Sequence, residues 1–354
     1  MSKLFSPLTL RGIQLRNRIV ISPMCQYSAT DGFANDWHLV HLGSRATGGA
    51  ALIIQEATAT APEGRISPAD LGIWKDEHVD YLKRITTFLK QHGAVPGIQL
   101  AHAGRKASTS APWVGNKPVS VADGGWQPVA PSAIAFYDGA VPQALDDAGI
   151  RKVIADFEAA AKRSLAAGYE VIEVHAAHGY LLHQFLSPLS NQRTDAYGGS
   201  FDNRIRLLLE VVRAVRNVLP DNLPLFVRVS ATDWAPGGWD IEETVKLAAI
   251  LKTLGVDLID TSTGGLAPRV TIPLSPGYQV PFAARIRAEA GVATGAVGLI
   301  TEASHAEAIL EKEQADLILI ARESLRDPNF PLHAAQQLGN DVEWPDQYKR
   351  AKPH

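Results

Sequence analysis

The stretch "EVIEVHAAHGYLLHQFLSP", residues 170–188, decides how this chain is read. It opens as a short, nearly continuous apolar run rich in β-branched residues. A strand facing water on one side would alternate apolar and polar instead. An unbroken run suits a strand buried on both faces, as in a parallel sheet. The run then gives way to His175, His178 and Tyr180, three titratable side chains within six residues.

Seven other runs share the pattern. They are "RIVISPM" (18–24), "AALIIQEA" (50–57), "VPGIQLAH" (95–102), "PLFVRVSA" (224–231), "DLIDTSTG" (257–264), "ATGAVG" (293–298) and "DLILIAR" (316–322). Helical periodicity fills the gaps at about 38–48, 76–93, 146–168, 203–219, 240–255, 279–291 and 301–314. Several of these helices open after Asp or Thr, and Gly168, Gly255 and Gly291 close three of them, as capping chemistry requires. Eight β–α alternations predict a (β/α)8 TIM barrel rather than a doubly wound sheet. No GxGxxG follows the first strand, which also argues against a Rossmann fold. The chain reads as one domain over 1–354. Residues 103–145, rich in Pro, Gly, Ser and Ala, form an insertion after strand three that is expected to cap one end. A tail at about 329–354 is a candidate subunit contact.

Composition narrows the function classes. The 354 residues are 46% hydrophobic and 20% charged, with a formal charge of −3. No Lys/Arg cluster points to nucleic acid, and no long apolar run points to a membrane span. One cysteine, Cys25, excludes an intrachain disulfide and an all-cysteine iron–sulfur site. No secretory signal opens the chain, so a cytoplasmic protein is expected.

In this fold, active sites sit at the carboxyl ends of the strands. Polar residues gather there: Cys25 and Tyr27, Glu56 with Ala57, Gln99 and His102, the His175/His178/Tyr180 set, Arg228, Gly298, and Ala321 with Arg322. Single residues admit plain structural readings. Cys25 could be a small buried hydrophobe, Gln99 a satisfied amide, Tyr27 and Tyr180 packing residues. Arg228 inside an apolar run is harder to dismiss, because a buried guanidinium must be paired or must meet an anionic ligand. Backbone N–H groups after strands seven and eight could hold a phosphate, with Arg322 adding charge or serving as an ion-pairing residue. The histidines admit three readings. A metal would need a third ligand from Glu56, Glu173 or His102, without any familiar ligand spacing. A structural role is the second. The third is a pair of N–H donors for a substrate oxygen, with Tyr180 as a nearby acid.

Five stretches together carry a resemblance. They are "LFSPLTLRGIQLRNRIVISPMCQYSA" (4–29), "EATATAPEGRIS" (56–67), "IQLAHAGRKAS" (98–108), "EVHAAHGYLLHQFLSPLSNQRTDAYGGSFDNRIR" (173–206) and "AVGLIT" (296–301). In this order and over essentially the whole chain, the sequence resembles the Old Yellow Enzyme family of flavin-dependent ene-reductases. Cys25 with Tyr27 marks its thermophilic-like branch. The resemblance implies non-covalent FMN, NAD(P)H as hydride donor, and ping-pong reduction of activated alkenes such as enones, enals, maleimides and nitroalkenes. It assigns His175 and His178 to the substrate oxygen, Tyr180 to proton donation and Tyr27 to the substrate pocket. Ser22, Pro23, Met24, Cys25 and Ala57 would meet the isoalloxazine, Gln99 its pyrimidine edge, and Arg228 its N1/O2 side. Gly298, Ala321 and Arg322 would hold the phosphate, although the family usually has Gly where Ala321 stands. A homodimer or dimer-based homotetramer is implied, with Arg350 of "DQYKRAKPH" matching an arginine that the branch passes into a neighbouring pocket. The aromatic that often follows that arginine is missing here. His183 is read as structural. The alternatives are an aldolase or lyase acting on a phosphorylated substrate, for which no strand end offers a lysine, and a flavin-binding barrel without turnover.

Overall fold

The computed structural model describes residues 2–353. An antiparallel hairpin, β1 (Leu8–Leu10) and β2 (Ile13–Leu15), precedes the barrel. The barrel opens with β3 (Ile19–Ile21), β4 (Leu52–Ala59) and β5 (Val95–Ala101). After a small parallel pair in the insertion, β6 (Val129–Ala130) and β7 (Gln143–Ala144), it continues with β8 (Val171–Ala176), β9 (Leu225–Ser230), β10 (Leu258–Ser262), β11 (Ala293–Ala296) and β12 (Leu317–Ile320). The eight barrel strands pair in chain order, all parallel, and β12 closes on β3. Helices α1 (Asp36–Thr47), α2 (Val79–Gln91), α3 (Asp147–Ala166), α4 (Leu181–Leu186), α5 (Phe201–Val218), α6 (Ile241–Thr253), α7 (Val280–Ala290) and α8 (Ala303–Glu311) lie between strands. α9 (Arg322–Arg326) and α10 (Phe330–Gln337) follow β12. This is the expected TIM barrel.

Capping follows the predicted chemistry. The carboxylates of Asp146 and Asp240 accept the backbone N–H of Gly149 and Glu243, and Gly168, Gly255 and Gly291 all have positive φ. Helix α1 starts two residues earlier than predicted. Asn35 accepts the N–H of Trp37, while His38 Nδ1 accepts the N–H of Asn35. A histidine thus fills the reciprocal capping position usually held by Glu or Gln.

Most strands are shorter than predicted, two of them for a visible reason. β3 stops at Ile21 because Pro23 has no N–H for the ladder. β11 stops at Ala296, and Gly298 leaves the sheet at φ 127°. The tail divides. Phe330, Ala334 and Ala335 of α10 are buried with the chain's own Leu4, Phe5 and Ile318, whereas residues 346–351 form an exposed 3-10 turn.

The barrel interior is layered. At the bottom, Val20, Leu52, Ile54, Val171, Phe226, Leu258 and Leu319 form an apolar plug against the β1–β2 hairpin. Side chains two residues apart on a strand share a face. The next layer inward is therefore Glu173, Arg228 and Asp260, with Gln99 beside Glu173 on β5, all buried. One step higher on β8, β9 and β10 stand His175, Ser230 and Ser262, at the mouth.

Candidate active site

Beyond β8 the chain turns sharply. His178 and Gly179 both take left-handed backbone, with φ 59° and 73°. A non-glycine residue there costs of order 1 kcal/mol or more and persists only when its surroundings impose it. The surroundings are explicit. Ser230 Oγ accepts the N–H of His178 at 2.9 Å and donates to Gly264 O at 2.8 Å. Lys106 Nζ donates to the carbonyls of His178 (2.8 Å) and Gly265 (3.1 Å). His183 Nδ1 accepts the N–H of Gly179 at 2.9 Å, and its Nε2 lies 2.9 Å from buried Asp233. His183 thus braces the turn from below.

The turn stacks three rings. His175 lies 5.2 Å from His178 and 5.0 Å from Tyr180, edge to face in both cases. Their hydrogen bonds set the tautomers. The N–H of Ala177 donates to His175 Nδ1 (3.3 Å), so the ring proton sits on Nε2. His178 Nε2 is 2.7 Å from Ser262 Oγ. The other acceptor for that hydroxyl, Gln279 Oε1, is 3.3 Å away and already takes the Thr263 hydroxyl at 2.7 Å. The shorter contact takes the proton, which leaves the N–H of His178 on Nδ1. Burial, reinforced by the charge of Arg228, pushes both imidazoles well below their usual range. Each is a neutral ring with one N–H to offer. Burial also raises the Tyr180 phenol well above its usual value, so it is protonated at neutral pH.

The three candidate third ligands for a metal are engaged elsewhere. Glu56 Oε2 accepts the N–H of Gln26 at 2.7 Å, and His38 Nε2 is 3.5 Å from Oε1. Glu173 accepts from Gln99, and His102 Nδ1 accepts the N–H of Gly104. Among the described residues, no three His, Cys, Asp or Glu side chains converge.

Across the mouth, Glu56 and Ala57 fall in a register irregularity between β4 and β5. Bulges of this kind re-aim side chains next to functional sites. Here the bulge turns Glu56 under the 25–27 turn, where its Oε2 accepts the N–H of Gln26. Tyr27, at φ 49°, points into the mouth and meets Trp113 of the insertion edge-on at 5.5 Å. Burial, then the carboxyls of Asp70 and Glu56, push the Cys25 thiol up, so it is a neutral thiol and not a thiolate nucleophile. Glu56 itself is pushed up to about 8 by burial.

Two cavities join these groups. One of about 470 Å³ is lined by Tyr27, Lys106, Trp126, Phe136, Tyr137 and Tyr180 and lies under the insertion. The other, about 210 Å³, is lined by Arg228, Tyr278, Gly298, Ala321, Arg322 and Arg326. Arg322 has no carboxylate partner among the described residues, whereas Arg326 pairs with Glu323. The residues singled out at the strand ends lie at this end of the barrel, whereas Arg350 stands apart from it in the exposed turn of the tail. Several that matter were missed. Lys106, Ser230, Ser262 and Gln279 hold the His178 turn, and Asp260 pairs with Arg228 (Nε to Oδ2, 3.0 Å). Only the strand register reveals the last, since Asp260 lies directly opposite Arg228.

A flavin nucleotide suits this arrangement. The Ser22 hydroxyl is buried without a partner, and a Cβ at Gly298 would crowd Gln279 and Tyr278 at the edge of a cradle. Arg228 and Arg322 place positive charge along that cradle, as an anionic ligand requires. Ala321 has a negative φ, so its Cβ imposes no left-handed backbone.

The fold and site define a barrel oxidoreductase built around a bound flavin. The comparisons narrow that class. The model of the NADH:flavin oxidoreductase / NADH oxidase family matches residues 3–341. The chain is 52% identical over 354 residues to the NADPH dehydrogenase of Listeria monocytogenes serotype 4a, covering 99% of both. It is 50% identical to the NADPH dehydrogenase of Geobacillus sp. strain WCH70, covering 98% of both. Its structure is similar to morphinone reductase (TM-score 0.79, 30% identity, covering 98% of this chain and 92% of that one). It is equally similar to an Old Yellow Enzyme homologue from Zymomonas mobilis (TM-score 0.79, 27% identity, 99% of both chains). The chain belongs to this family, the Old Yellow Enzymes, and is an FMN-dependent oxidoreductase.

Proposed function

We propose that the protein is an NADPH-dependent ene-reductase acting on alkenes activated by a carbonyl or nitro group. The observation that carries this reading is the pair of neutral imidazoles, each with one N–H available at the mouth beside a protonated phenol. FMN held by these residues would supply two-electron hydride chemistry, with NAD(P)H as the donor and the alkene β-carbon as the acceptor.

The chain's residues do the rest. His175 Nε2–H and His178 Nδ1–H hold the substrate oxygen and stabilise the enolate-like charge that develops there, in a site too buried for water to compete. Tyr180 passes its proton to the α-carbon. Tyr27 lines the opposite wall. Ser22, Pro23, Met24, Cys25 and Ala57 would meet the flavin ring. Gln99, whose amide N–H is given to Glu173, would offer its Oε1 to the pyrimidine edge. Arg228 would face N1/O2, and Gly298, Ala321 and Arg322 the phosphate. Insertion 103–145 would close over the alkene. The exposed turn with Arg350 would reach a second copy in a homodimer or dimer-based homotetramer.

The test is anaerobic. NADPH should bleach the flavin band of the purified holoenzyme, and cyclohexenone, maleimide or a nitroalkene should restore it. Bleaching that none of these alkenes reverses would leave a flavin oxidoreductase but overturn the ene-reductase reading.

A further inference from the structure

The ionic layer beneath the mouth contains more acid than its donors can satisfy. Glu173 and Asp260 are 0% exposed. Glu173 Oε1 accepts the Gln99 amide at 2.7 Å, and Asp260 Oδ2 lies 3.0 Å from Arg228 Nε. Glu173 Oε2 and both Asp260 oxygens meet no aligned N–H or O–H donor, and Arg228 Nε–H has no aligned acceptor, so Arg228 and Asp260 are paired by charge. Glu173 of β8 and Asp260 of β10 flank the Arg228 strand in one interior layer, and each carboxyl acts on the other's titration. Two acceptors cannot face each other in a dry interior unless a proton lies between them. Two carboxylates against the single charge of Arg228 would also leave a net buried charge, which costs several kcal/mol. One added proton supplies the missing donor and cancels the charge.

We propose that Glu173 and Asp260 share one proton, and that this pair positions Arg228 and Gln99 for the flavin and fixes how much of the Arg228 charge the flavin feels. The inference rests on FMN lying over Arg228. The proton stays with Glu173, because Arg228 lies against Asp260 and favours its ionised form. Burial and the neighbouring Asp260 carboxyl both push Glu173 up, in keeping with that assignment. Glu173 then donates to Asp260, Asp260 pairs in charge with Arg228, and the Gln99 amide is held with its oxygen free. Four strands, β5, β8, β9 and β10, thus pass one chain of polar contacts to the cofactor's floor. Neither carboxyl touches the cofactor; both are positioning residues.

Infrared spectroscopy of the holoenzyme tests this. Wild type should show protonated-carboxyl C=O bands at pH 7. E56Q should remove the contribution of Glu56, and E173Q should remove a second band that persists above pH 8. Flavin potentials give an independent readout. An amide reproduces the donor and acceptor of a protonated acid, so E173Q should change the ratio of reduced to oxidised FMN affinity less than about threefold. E173Q/D260N leaves Arg228 uncompensated and should favour reduced FMN by on the order of tenfold, which is about 30 mV for a two-electron couple. Absence of a carboxyl band that E173Q removes would overturn the shared proton while FMN stays bound. So would a potential shift in E173Q as large as in the double variant, since Glu173 would then have been ionised.

Discussion

At the residue scale, His175 and His178 are useful because they are uncharged. Imidazolium rings beside Arg228 would add positive charge that no buried carboxylate at the mouth balances. Neutral rings with fixed tautomers give two directed N–H donors instead. H175A/H178A should therefore weaken binding of a phenol, which mimics the enolate, by roughly 100- to 10,000-fold, with each of the two lost charge-assisted bonds contributing about 1.5–3 kcal/mol. Difference titration of the flavin band checks this, and unchanged phenol affinity would count against the clamp. Y180F should slow flavin reoxidation by an enone about 100-fold or more, the usual contribution of a positioned acid. That loss should exceed any change in reduction by NADPH, as stopped-flow traces of the two halves would reveal. An equal loss in both halves would point to a positional defect rather than a missing proton. The types of these side chains were legible in the sequence. Their protonation was not, because it depends on Ala177, Ser262 and Gln279, which come from three different segments.

At the element scale, the decisive joint is between the turn after β8 and the loop after β10. Gly265, at φ 88°, lies so close to His178 that a Cβ would stand 2.7 Å from its backbone. Lys106 bridges the two carbonyls from the insertion side, and its ammonium also lies 5.0 Å from the Tyr180 ring centroid. Burial and neighbouring Arg105 lower it to about 8. K106M should cost about 1–3 kcal/mol of stability, since two partly buried carbonyls lose their donor. It should also weaken phenol binding, because the His178 turn loses its support. Urea unfolding and phenol titration measure both; a variant matching wild type in both would remove Lys106 from this role. The sequence pattern found the strands bounding this joint to within two or three residues. It did not find the joint, because loop-to-loop contact leaves no periodicity.

At the scale of the whole molecule, the barrel buries many histidines in neutral form. His38 and His102 titrate near 4 and His41 near 3, all lowered chiefly by burial, and His175 and His178 lie well below 6.5. In the unfolded chain each binds its proton near 6.5. Between pH 6.5 and about 4 the unfolded state therefore holds more protons, and stability falls as pH drops. Glu56, raised to about 8, and Asp70, raised to about 6, act the other way, as does Glu173, because the fold keeps their protons where the unfolded chain has lost them. The histidines outnumber these carboxyls, so the urea midpoint should fall between pH 7 and pH 5. A midpoint that held or rose would mean that the buried carboxyls dominate.

Hydrophobic runs, turn glycines and cap residues specify eight strands, their order and their parallel sense, because these follow from local periodicity and short-range sterics. The mouth could be read from them, since a barrel collects its strand ends on one rim. Asp260 under Arg228, Lys106 across two carbonyls and the donor sense of each histidine were settled only by folding. Each depends on which residues a closed barrel sets side by side, and closure is a long-range condition that no single stretch of chain contains.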